Sequence, residues 1–274
     1  MLRVAILDLY EGQANQGMRG IREILNQWSE FHHVELTWDE FDVRQKNEFP
    51  DLNYDVYIST GGPGSPLESE GLEWDTNYFN WLASVDAWNV TQSKKKYIFF
   101  ICHSFQLACR YYKMGTISKR KSTSFGVFPV HVTMEGQLDP VLSGLKDPFY
   151  VVDSRDWQVT QPDFDELKKN NSHILCIEKY RPHVPYDQAI MAIRFNDYFF
   201  GTQFHPEADA IGMSMYLQTE EKKQTVITNY GFEKWESMVN QLNDPEKIMW
   251  TYSHIIPNFL NVILALRGKE LSAA

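Results

Sequence analysis

A thiol, an imidazole and a carboxylate stand in this sequence where they could act together on an amide or ester. Cys102 follows the bulky run Tyr97-Ile98-Phe99-Phe100-Ile101, and residues 104–112 behind it read as a helix. A cysteine at such a strand-to-helix turn faces free backbone amides and the positive end of the helix dipole, which favour a thiolate nucleophile. Much later, Gln203-Phe204-His205-Pro206-Glu207 sets a histidine and a glutamate on either side of a proline that prevents helix formation. That spacing suits a base and the group that orients it. The third segment, Thr60-Gly61-Gly62-Pro63-Gly64-Ser65-Pro66, is a tight loop whose amides can face a developing oxyanion. It is not a nucleotide phosphate loop, because no Gly-Lys-Ser/Thr follows and the stretch beyond Pro66 is acidic. Cys109, in the helix, and Cys176, in a strand, are expected to be buried structural thiols.

Elements must bring these segments to one place. Short apolar runs alternate with amphipathic stretches of ten or more residues, the pattern of parallel strands joined by crossover helices. The expected fold is α/β, a mostly parallel open sheet with helices on both faces, flavodoxin-like in outline. Strands are read at 4–9, 33–41, 55–59, 97–101, 127–134, 150–153, 174–178, 189–195 and 198–203, and helices at 17–28, 72–88 and 104–112. The glycine loop, Cys102 and the His205 segment then all follow carboxyl ends of strands, where open α/β sheets place their ligands. From about residue 208 the pattern turns helical, with Asp244 as a cap and Pro245 in a first turn. Ile248, Tyr252, Ile255, Phe259, Val262 and Leu266 form one apolar stripe, expected to pack back on the sheet. The other use for that stripe is a homodimer or partner interface, joined by Trp74, Tyr78, Phe79 and Trp81.

Composition narrows the partners. The 274 residues carry 26 Lys and Arg against 36 Asp and Glu, a formal net charge of −10, which disfavours a nucleic-acid partner. The Lys94–Lys96 run and the Lys119–Lys121 cluster read as solvated loop charges. The most apolar stretch, residues 255–266, is broken by Pro257, Asn258 and Asn261, so no membrane span is expected. Three cysteines without disulfide or metal-ligand spacing point to a reducing, cytoplasmic setting and to no metal. No cofactor is expected.

With these residues quoted, the chain resembles the class I glutamine amidotransferases, in particular the glutaminase part of GMP synthase and its stand-alone homologues. Gly61-Gly62-Pro63-Gly64-Ser65-Pro66 is similar to the family's oxyanion loop, Cys102-His103-Ser104-Phe105-Gln106 to its nucleophile elbow, and Gly201-Thr202-Gln203-Phe204-His205-Pro206-Glu207 to its histidine-glutamate motif. Phe125-Gly126-Val127-Phe128-Pro129-Val130 resembles the strand after the elbow helix. The resemblance spans 1–207 and implies an amidotransferase-like domain there, with 208–274 as a helical extension. It implies Cys102 as nucleophile on a side-chain amide, His205 as acid-base group and Glu207 as its orienter. The amides of Gly62 and His103 would form the oxyanion hole, with Gly61 and Gln106 at the substrate. The implied substrate is glutamine or a γ-glutamyl amide, and the implied activity is transferase or hydrolase. Since no synthetase half is present in this chain, ammonia would go to a separate synthetase subunit or be released by simple hydrolysis. Two further readings are a γ-glutamyl hydrolase-type enzyme and a binding or regulatory protein without catalysis. The family elbow has glycine two residues before and after the cysteine, where this chain has Phe100 and Ser104. By the two-residue period of a strand, Phe100 is expected on the side of Cys102, shaping the substrate pocket. Asp153-Ser154-Arg155-Asp156-Trp157 lacks the Trp-His pair of relatives, leaving specificity open.

Overall fold

Along the first strand, Val4 and Ile6 join one buried apolar cluster while Ala5 and Leu7 join another, so the strand is covered on both faces. The same alternation in Tyr97–Ile101 divides Tyr97, Phe99 and Ile101 from Ile98 and Phe100. The computed structural model describes the chain apart from residues 14, 182, 184, 185, 243, 245, 246 and 274, and apart from the side chains of 216, 221, 222, 229, 230, 241 and 269–273.

The first half of the chain runs β1 (Leu2–Asp8), α1 (Gly17–His32), β2 (Leu36–Asp42), α2 (Val43–Lys46), β3 (Val56–Ser59), α3 (Glu73–Thr91), β4 (Tyr97–Ile101) and α4 (His103–Tyr112). It continues through β5 (Thr116–Val132), α5 (Met134–Leu138), β6 (Phe149–Thr160), α6 (Phe164–Lys169), β7 (His173–Glu178), β8 (Ile190–Arg194) and β9 (Phe199–Thr202). Four helices close the chain: α7 (Ala210–Leu217), α8 (Glu220–Tyr230), α9 (Phe232–Leu242) and α10 (Ile248–Ala273). The nine strands form one sheet in the order β2-β1-β3-β4-β9-β8-β7-β5-β6. Pairings from β2 through β9 are parallel, and those from β9 through β6 are antiparallel. The open α/β sheet expected from the pattern is therefore present, with an antiparallel half that periodicity alone does not reveal.

Helices α1 and α10 share one face. Met18, Ile21, Ile24, Leu25 and Trp28 meet Ile255, Ile256, Phe259, Leu260 and Ile263 in the same core. Trp28 donates its indole N–H to Asn261 at 2.8 Å, which fixes the two helices against each other. The apolar stripe of the last helix thus packs on the sheet. Helices α3 and α4 cover the other face, where Trp74, Tyr78 and Trp81 are buried and Phe79 packs against the cluster, so these aromatics are core. A third cluster joins Phe125, Val127 and Val152 of β5 and β6 to Met213, Leu217, Val226, Met238 and Leu242 of α7–α9. The helix expected from Asp244 and Pro245 begins at Ile248; Pro245 and Glu246 lie outside the described residues.

Two surface expectations are corrected. Lys96 is only 2% exposed, its ammonium donating to the Tyr54 carbonyl at 2.6 Å and lying over the Trp88 ring. Lys119–Lys121 belong to β5 rather than to a loop.

Candidate active site

Cys102 sits between β4 and α4 with φ 49° and ψ −98°, a backbone geometry that L-residues other than glycine rarely adopt. It follows from the demand that the chain leave a strand and enter a helix within one residue. The strain is held by its surroundings: Cys102 N–H donates to Thr202 O at 2.7 Å, and the Cys102 carbonyl accepts from Gln106 N–H at 3.0 Å. Ser104 turns its hydroxyl inward. That hydroxyl accepts from Ile101 N–H at 2.8 Å and donates to the Ser59 carbonyl at 2.6 Å, tying the elbow to β3.

The positive φ takes Cys102 out of the strand's alternation, so the thiol and Phe100 do not share a side. Phe100 lies in the opposite core cluster, packed on Phe195 and Phe199. Gly201 makes room for it, since a Cβ there would lie 3.1 Å from Phe100 Cβ and 2.9 Å from the Phe105 ring. The expectation that Phe100 shapes the substrate pocket is therefore wrong.

His205 follows β9 and is tied to β6 by an isolated bridge, its N–H donating to Val152 O at 2.9 Å. Its Nδ1 lies 2.8 Å from Glu207 Oε1. Ring and thiol meet over the glycine loop: a Cβ built on Gly61 would lie 2.8 Å from His205 Cε1 and 3.5 Å from Cys102 Cβ. Gly61 is thus the floor under both groups, and no larger residue fits. At Gly62 a Cβ would strike the Leu9 carbonyl at 2.3 Å, so this loop must also be glycine to lie against the end of β1. The N–H groups of Gly62 and His103 have no hydrogen-bond partner among the described residues. Arg44 holds the loop from outside, donating to the Pro63 carbonyl at 2.6 Å while stacking over Trp74.

The electrostatics follow from burial and neighbours. Burial alone favours a neutral His205, but the Glu207 carboxylate and Cys102 outweigh it and hold the imidazole pKa well above its ordinary value. His103 goes the other way. Burial, then the Arg44 and Arg110 charges, lower it to about 3, so its side chain is neutral and its Nε2 is without a partner among the described residues. Gln106 is 2% exposed; its amide N–H₂ donates to Trp157 O and Gln203 Oε1, both at 3.1 Å. Gln203 in turn approaches Cys102 Sγ at 3.8 Å, the same separation as from the thiol to the Ser154 carbonyl.

A cavity of about 490 Å³ opens over these groups. Cys102, His103, Gln106, His205, Glu207 and Gly62 all line it, so nearly every residue singled out from the sequence converges there. Several others were not foreseen. Tyr10 lines the cavity and donates its hydroxyl to Glu207 Oε1 at 3.4 Å. Its pKa is raised well above the ordinary value, first by burial and then by the Glu207 and Cys102 charges, so the phenol keeps its proton. Gly17 and Gly20 let the start of α1 press on the same carboxylate segment: a Cβ on Gly17 would lie 2.1 Å from Tyr10 Oη, and one on Gly20 2.1 Å from the Glu207 carbonyl. Ala208, Asp209 and Met213 close the outer wall. Asp209 is fixed there by Arg19 of α1 at 2.6 Å.

No group of histidine, cysteine or acidic side chains suited to a metal ion is found among the described residues. No described helix is long and apolar enough to cross a membrane.

Known structures with the same fold include a glutamine amidotransferase from Thermotoga maritima, 14% identical with a TM-score of 0.67, covering 96% of this chain and 98% of that one. A protein from Thermoplasma acidophilum, assigned as one of the subunits of a GMP synthase, is 14% identical, with a TM-score of 0.60 and 98% of each chain covered. The glutaminase domain of Trypanosoma brucei CTPS, seen with bound acivicin, is 13% identical with a TM-score of 0.54, covering 90% of this chain and 97% of that one. No curated protein sequence matches the chain. The family profile of glutamine amidotransferase class-I matches residues 17–218, and the chain belongs to that family.

Proposed function

We propose that the protein hydrolyses the side-chain amide of glutamine, or of a γ-glutamyl compound, through a thioester on Cys102. The observation that carries this reading is the strained Cys102 at a helix N-terminus, facing the same glycine as an imidazole that Glu207 holds in the charged form. The end of α4 favours negative charge on sulfur, and His205 supplies the matching cation. Sulfur attacks the amide carbon, and the Gly62 and His103 amides receive the oxyanion. His205 gives its proton to the departing nitrogen, which leaves as ammonia. A water molecule, deprotonated by the now neutral imidazole, then attacks the thioester carbon; the C–S bond breaks, releasing the acid and restoring the thiolate beside the imidazolium. The exposed carboxylate of Asp156 on the cavity wall suits the α-ammonium group of an amino-acid substrate.

The ammonia is proposed to pass to a separate synthetase subunit, in keeping with the likeness to the Thermoplasma GMP synthase component. The test uses a glutamine-mimicking diazoketone and intact-mass measurement. One adduct is expected on the wild type and none on Cys102→Ser. Absence of both labelling and ammonia release from glutamine and γ-glutamyl amides would exclude hydrolysis and leave a binding role.

A further inference from the structure

A second cavity, of about 380 Å³, opens where the first part of β5 faces the end of β7, lined by Lys119, Arg120, Lys121, Glu178, Lys179 and Arg181. With Asp187 also on its wall, five cations stand against two carboxylates, a local reversal in a chain whose formal net charge is −10. The partners of these cations show how little of that charge is answered. Arg120 donates to Gln158 Oε1 at 2.6 Å and to Glu178 Oε1 at 3.1 Å, yet its Nε is buried without a partner among the described residues. Lys121 donates its ammonium to the Tyr186 hydroxyl and lies over that ring at 4.3 Å. Lys119 and Lys179 are exposed and have no carboxylate within ion-pair distance among the described residues. Asp187 accepts from Gln161 at 2.8 Å. Hydroxyls of Thr116, Ser118, Ser122 and Thr160 also line it. A guanidinium fork, free ammonium groups and hydroxyl donors are together the donor set that phosphate oxygens take.

Glu178 leads from this groove to the first cavity. The same Oε1 that accepts from Arg120 lies 3.6 Å from Arg155 Nη2. The Arg155 side chain is 1% exposed and lines the cavity that holds Cys102. Its Nε is held by Asp153 at 2.9 Å, and Asp153 is held by Ser124 at 2.8 Å. Its Nη1 is buried without a partner among the described residues. One residue before it, the Ser154 carbonyl faces the Cys102 thiol.

We propose that this groove binds a small phosphate-bearing anion and that its occupancy is felt at Cys102 through Arg120, Glu178 and Arg155. An anion that draws on Arg120 competes with Glu178 for it, and Glu178 then leans more on Arg155. By linkage, whatever the anion does to the first cavity, a ligand there does in return to the anion. The binding half stands apart from the hydrolytic reading, and the coupling half needs only a reactive thiol, so both survive if glutamine is not the substrate.

The probe is inorganic pyrophosphate, titrated calorimetrically at constant ionic strength. One saturable site is expected, weakened by about tenfold in Lys119→Ala/Lys179→Ala, where only exposed side chains are shortened. No saturable binding, or unchanged affinity in the double variant, overturns the site. Arg120→Gln is a second probe of it, with folding checked by circular dichroism. For coupling, the rate of iodoacetamide alkylation at Cys102 is followed by peptide mass, with and without saturating pyrophosphate. A change of at least about twofold is expected, lost in Glu178→Gln while pyrophosphate still binds. An unchanged rate in the wild type overturns the coupling.

Discussion

The hydroxyl of Tyr10 donates to the same oxygen of Glu207 that orients His205, so part of that carboxylate's charge is drawn away from the imidazole. Tyr10→Phe removes this competitor. His205 is then held more firmly in its charged form, and the alkaline limb of the pH–rate profile is expected to move up. Tyr10 does not itself produce that limb, because its own pKa is raised. At 3.4 Å the contact is long for an O–H···O bond, so its loss is expected to change kcat/KM by less than about fivefold, measured as ammonia release across pH. His103 makes a different prediction. Its folded-state pKa of about 3 lies below the unfolded value, so the unfolded chain binds a proton that the folded chain refuses. Stability from this residue is therefore complete above the unfolded value, near 6.5, and is lost as pH falls toward about 3. His103→Gln is expected to flatten the dependence of the urea midpoint on pH between those limits.

At the scale of elements, α1 presses on the backbone of the His205–Glu207 segment through glycines. Gly20→Ala puts a methyl 2.1 Å from the Glu207 carbonyl, which is backbone and cannot swing away. The expected result is a loss of about 1–3 kcal/mol in stability by chemical denaturation, together with a loss of activity larger than that of Tyr10→Phe. This contact also marks the limit of what the sequence could say. Cys102, His205 and Glu207 were legible because each stands beside a local signal: a strand end, a following helix, a proline. Tyr10 and Gly20 have no such signal, since each meets a Glu207 that lies far along the chain, 197 residues on from Tyr10, and a helix glycine reads only as a weak helix former. Phe100 was misplaced for a local reason, because alternation was carried through a residue whose positive φ ends the strand. The antiparallel half of the sheet was hidden because buried strands look alike in either direction.

For the whole molecule, the last helix closes the core rather than decorating it. Phe259 is 2% exposed and its ring packs edge-on against Phe99 of β4 at 5.2 Å and near Phe200 of β9 at 6.5 Å. These are the strands that end in Cys102 and lead to His205. Phe259→Ala is expected to cost about 3–5 kcal/mol, read as a fall in the denaturation midpoint, with diazoketone labelling of the surviving folded fraction retained. Asp55, beyond the opposite end of β3, adds a charge clamp on the same helix, held by Arg267 at 3.1 Å and Lys94 at 2.6 Å.

The outer wall of the Cys102 cavity comes from Ala208, Asp209 and Met213, which follow the final strand. The reacting groups themselves are laid down earlier in the chain, at strand ends and in the glycine loop, with α1 bracing the Glu207 segment. The rim of the site and its reacting groups thus come from different stretches of polypeptide: replacing Met213 of α7 would reshape part of the entrance while leaving the sulfur, the imidazole and their glycine floor in place.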